Sequence, residues 1–122
     1  MQNIGGQGMI RKMLLGLIGL MLVATPVMAK DVSVTLGGSG DFSSPILLQG
    51  AFNVSVTATT WVGNTITLQR SFDSGATWKD VWSTTSNMES STEYEPEVKV
   101  SYRIGFKSGQ YGSGTAAVRI SQ

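Results

Sequence analysis

The chain has no histidine and no cysteine among its 122 residues. Those two absences exclude Ser/His and Cys/His nucleophile pairs, thiolate chemistry and the usual zinc ligand set. They also exclude disulfides, so the fold rests on its hydrophobic core alone. Nine Lys+Arg against eight Asp+Glu give a formal charge of +1, too little for an electrostatic footprint on nucleic acid. Proline is scarce, at three residues. Nothing in the inventory calls for a cofactor or a metal, and the chain reads as a binding or structural protein, not an enzyme.

What is present falls into two unlike stretches. Residues 1–29 hold Arg11 and Lys12, no acid, and five of the six methionines. After the two cations, residues 13–24 carry no polar side chain, and Thr25-Pro26 ends any helix there. Val27-Met28-Ala29 then offers small or modest residues at a cleavage position. Cations, a short apolar run and a small-residue site predict a signal-peptide-like leader helix. The run is too short for the roughly 20 apolar residues of a spanning helix. A leader in use implies export to the periplasm or beyond, with membrane contact only while it is uncleaved. Translation from Met28 implies a leaderless protein instead.

Residues 30–122 alternate with period 2. Val32, Val34 and Leu36, then Phe52, Val54 and Val56, then Ile66, Leu68 and Phe72 lie at alternate positions between polar residues, with Arg70 interrupting the third row. Val98, Val100, Tyr102, Ile104 and Phe106, and finally Ala116, Val118 and Ile120, repeat the pattern. Such rows predict half-buried strands. Turn residues separate them at 37–41, 62–64, 73–75 and 108–114. The expected fold is all-β: a small antiparallel β-sandwich of immunoglobulin or fibronectin size with about seven or eight strands.

Ser71, Asp73, Gly75, Thr77 and Trp78 satisfy S-x-D-x-G-x-T-W. An aspartate can accept amide hydrogens across a turn, a glycine can supply positive φ, and a tryptophan can fold beneath. The stretch resembles the Asp-box, a hairpin motif repeated in sialidase propellers and found singly in other secreted or surface β proteins. One box in a short chain implies a fold element and no sialidase chemistry. Glu89, Glu93, Glu95 and Glu97 have no calcium-loop spacing and read as a solvated segment connecting strands. Gly37-Gly38-Ser39-Gly40 precedes no helix and reads as a turn. Trp82 shares the strand parity of Trp78 and reads as core, whereas Trp61, beside Val62-Gly63-Asn64, is expected exposed at a loop edge as a possible ligand contact.

A wider resemblance runs through the stretches 47–56, 67–81, 94–97, 102–105 and 113–120. They are similar to a group of small β-rich proteins of tailed phages and prophages, thought to be virion-associated. The resemblance implies a non-enzymatic structural or adhesive module on a particle surface, with protein partners or self-assembly and no catalytic residue. The leader and Trp61 carry the alternative, an exported carbohydrate-binding or cell-surface adhesion domain. A virion protein would start at Met28, and an exported one would begin at Lys30 after cleavage.

Overall fold

Two long strands organise the chain. In the computed structural model, which describes residues 30–122, β2 (Ile46–Ala58) pairs antiparallel with β5 (Met88–Gly105). Each long strand carries a wing on one half only. The second half of β2 pairs with β6 (Ala116–Ser121), and β6 pairs with β1 (Asp31–Leu36). The second half of β5 pairs with β3 (Ile66–Ser71), and β3 pairs with β4 (Lys79–Thr84). The result is one open antiparallel sheet of six strands, ordered β1-β6-β2-β5-β3-β4.

The all-β class is therefore as the alternation predicts, but in place of a two-sheet sandwich of seven or eight strands there is one open sheet of six. The difference lies in β5, an 18-residue strand whose register against β2 slips twice. Each slip moves its alternation to the other face, so a sequence reading divides one bulged strand into shorter ones. The predicted leader over residues 1–29 lies outside the described residues.

A single flat sheet could not shield side chains completely, yet Leu48, Phe52, Val54 and Val56 of β2 share one buried cluster with residues of both wings. Ile66 and Leu68 come from one wing, and Leu36, Val118 and Ile120 from the other. The sheet thus bends around its own apolar face. Phe52 and Tyr102 meet at the centre with ring centroids 4.8 Å apart.

Three residues of the expected core rows stand outside it, among them Val34 of the edge strand β1, which is 39% exposed. Val98 is 62% exposed because Lys99 adopts φ 62°, a left-handed turn that breaks the alternation just before Val100. Phe72, just past the end of β3, is 54% exposed. The 96–99 segment bulges opposite Gln49, between the pairs Leu48↔Val100 and Gly50↔Glu95. This bulge puts Glu95 on the inner face.

Candidate functional site

The turn between β3 and β4 is built from the side chains the motif supplies. The Ser71 hydroxyl donates to Asp73 Oδ1 at 2.7 Å and accepts the Gly75 N–H at 2.8 Å. Asp73 Oδ1 accepts the Thr77 N–H at 2.9 Å, and Oδ2 accepts the Thr77 hydroxyl at 2.6 Å. Ser74 and Gly75 both take positive φ, at 60° and 91°, and the turn closes over the Trp78 ring.

The donated hydrogen bonds, those of Thr77 foremost, hold the Asp73 carboxyl at about 2 instead of 3.8. In the unfolded chain the same group gains its proton near 3.8, so the folded state binds fewer protons in between. The stabilisation from Asp73 is then fully present above 3.8 and lost as the pH falls toward about 2. Thermal midpoints measured across that acid range should fall less steeply for Asp73→Asn than for the natural chain. Parallel curves would show that the carboxylate is not held as described.

The Trp78 ring is already occupied. The Arg103 guanidinium sits between it and Phe42, with its central carbon 4.4 Å and 4.0 Å from the two ring centroids. Arg103 Nε donates to Gln69, the Gln69 amide donates to Asp80, and Lys107 donates to Asp80 at 2.7 Å. The bonds from Lys107 and then Gln69 lower the Asp80 pKa, and burial lowers that of Arg103. The layer pins the hairpin onto the outside of β3 and β5.

Trp61 is less free than a loop-edge position suggests. It is half-buried against the core, and its indole N–H donates 2.9 Å to Asn87 Oδ1, which also accepts the Ala58 N–H at 3.0 Å. The exposed apolar side chain of that loop is Val62, at 77%. Trp82 is also half-buried against the core, and its buried indole N–H has no partner among the described residues.

The cluster that sequence reasoning missed lies on the inner face. Glu95 is fully buried, although its acidic neighbours Glu89 and Glu97 are exposed, so the run is not uniformly the solvated connector expected. Its Oε1 accepts the Tyr102 hydroxyl at 2.6 Å and its Oε2 accepts the Glu97 N–H at 2.9 Å. Arg70, the interruption in the apolar row of β3, places Nη1 3.6 Å from Glu95 and Nη2 4.0 Å from Glu97. Burial, reinforced by the hydrogen bond to Glu95, pushes the Tyr102 phenol well above its ordinary value. A charged residue at an inward position of a strand was the available signal, and Arg70 carried it.

Chemically, the cluster can hold charge and hydrogen bonds in place. No group of three or more His, Cys, Asp or Glu side chains among the described residues is placed to hold a metal ion. No protein-family model, curated protein or solved structure matches this chain.

Proposed function

We propose that this chain is a non-enzymatic surface module of a phage-type particle, held there through protein contacts. The observation that carries the reading is an apolar surface outside the central ladder. Leu47 projects from the outer face of β2 and is 54% exposed. Tyr94, opposite Ala51 on the same face, is 66% exposed, and Val98 in the intervening bulge is 62% exposed. The core does not use these side chains, and grouped exposed apolar residues favour a protein contact. The sequence resemblance to virion-associated β-rich proteins supplies the kind of partner.

Density-banded particles from the natural host test the reading. The chain should band with them, begin at Ala29 after loss of an initiator Met28, and leave them when Leu47→Asp and Tyr94→Asp are combined. Both sites are exposed, so the thermal midpoint should stay unchanged. A chain recovered only from the exported fraction, beginning at Lys30, would overturn the virion reading in favour of an exported adhesion domain.

A further inference from the structure

Residues 66, 68, 70 and 72 follow one parity of β3 and the position just beyond it, and along that row the burial runs out. Ile66 and Leu68 are fully buried, the Arg70 side chain is 32% exposed and Phe72 is 54% exposed. Glu97, in the bulge of β5, reaches the same rim with its side chain 60% exposed. The Arg70 guanidinium carbon lies 4.6 Å from the Phe72 ring centroid, over one face of a side chain that still leaves 54% of its surface exposed. A cation, a carboxylate and an exposed aromatic side chain therefore meet where the fold has no packing use for Phe72 or Glu97.

The guanidinium is positioned but not saturated. Its distances of 3.6 Å and 4.0 Å to the two carboxylates exceed those of an N–H···O hydrogen bond. Glu95, the group that places it, is itself locked by the Tyr102 hydroxyl and the Glu97 N–H. Unused donors thus stand beside an acceptor on a rigid base, which lowers the ordering cost of binding. Lys79 stands opposite Arg70 in the β3–β4 register, so two cations balance Glu95 and Glu97 and the rim has no net charge to draw an anionic ligand.

From this we infer that the Arg70–Phe72–Glu97 rim binds a neutral carbohydrate. Adjacent hydroxyls of one sugar residue can accept from Arg70 and donate to Glu97 together, while the apolar face of the next residue along an oligosaccharide lies on the outer side of Phe72. The inference deepens the surface-module reading and rests on it only for where such a glycan would be met. It also moves the sugar contact away from Trp61.

The test is amide chemical-shift titration of the full chain with cellotriose, maltotriose and triacetylchitotriose, and with sialyllactose as the anionic comparison. At least one neutral sugar should give saturable shifts centred on residues 70–72 and 95–98, with affinity in the millimolar range. Sialyllactose should bind no more tightly than the neutral sugar, the neutral sugar should bind Phe72→Ala about tenfold more weakly, and Glu97→Gln should weaken it too. Both substituted positions are exposed, so both variants should keep the natural thermal midpoint. The inference is overturned if no neutral sugar gives saturable shifts up to about 20 mM. Shifts centred on Trp61, unchanged affinity in Phe72→Ala or tighter binding of sialyllactose than of every neutral sugar would overturn it as well. A chain that bands with particles yet binds no sugar loses this inference alone, because particle association is scored separately through Leu47 and Tyr94.

Discussion

Arg70→Ala should remove about 3–5 kcal/mol of stability, read from urea midpoints at constant slope. Glu95 is fully buried and has Arg70 as its nearby cation, at 3.6 Å. Deleting the cation leaves a carboxylate out of water with hydrogen bonds from Tyr102 and the Glu97 amide but without countercharge. Such a loss is a large share of the roughly 5–15 kcal/mol that holds a domain together. The paired substitution Arg70→Met with Glu95→Gln removes both charges and keeps an oxygen for the Tyr102 hydroxyl. It should recover at least half of the loss, because removing both partners of a buried pair costs less than removing one. A single variant losing under about 1 kcal/mol would show that the ion pair is not buried as described.

Gly105→Ala should be comparably damaging for a steric reason. A Cβ at this position would lie 2.2 Å from the Asp41 carbonyl oxygen and 2.6 Å from Phe42 Cα, both backbone atoms. The crossing segment cannot simply retreat. Asp41 O accepts the Phe106 N–H at 2.9 Å, the Ser43 N–H donates to Ile104 O at 2.9 Å, and Ser43 Oγ accepts the Ile104 N–H at 3.1 Å. Overpacking against fixed backbone belongs at the upper end of its range, about 3 kcal/mol, which for a domain of this size lowers the thermal midpoint by about 15 °C. Faster amide exchange at Ile104 and Phe106 should accompany the drop. An unchanged midpoint with unchanged exchange would mean that the segment does not cross β5 there.

Both predictions depend on residues whose importance was unevenly visible. Arg70 broke an apolar row and could be noticed, but its partner could not be named, because Glu95 sits 25 positions away inside a run of acids. Gly105 looked like any polar-side position in an alternating strand. Its reason is the chain segment lying against it, and strand periodicity holds no information about that neighbour.

Local chemistry alone determined the β class, most of the inward rows and the 71–78 turn. Alternation records which face of a strand is wetted, and serine, aspartate, glycine and threonine at set spacings bond within a few residues of themselves. Only the tertiary structure decided that β2 pairs with β5, that β5 stays one strand through two slips, and that Lys99 turns left-handed to expose Val98 and internalise Glu95. Register depends on the partner strand, and a carboxylate can be buried only where Arg70 from β3 and Tyr102 from beyond the bulge of the same strand arrive to meet it.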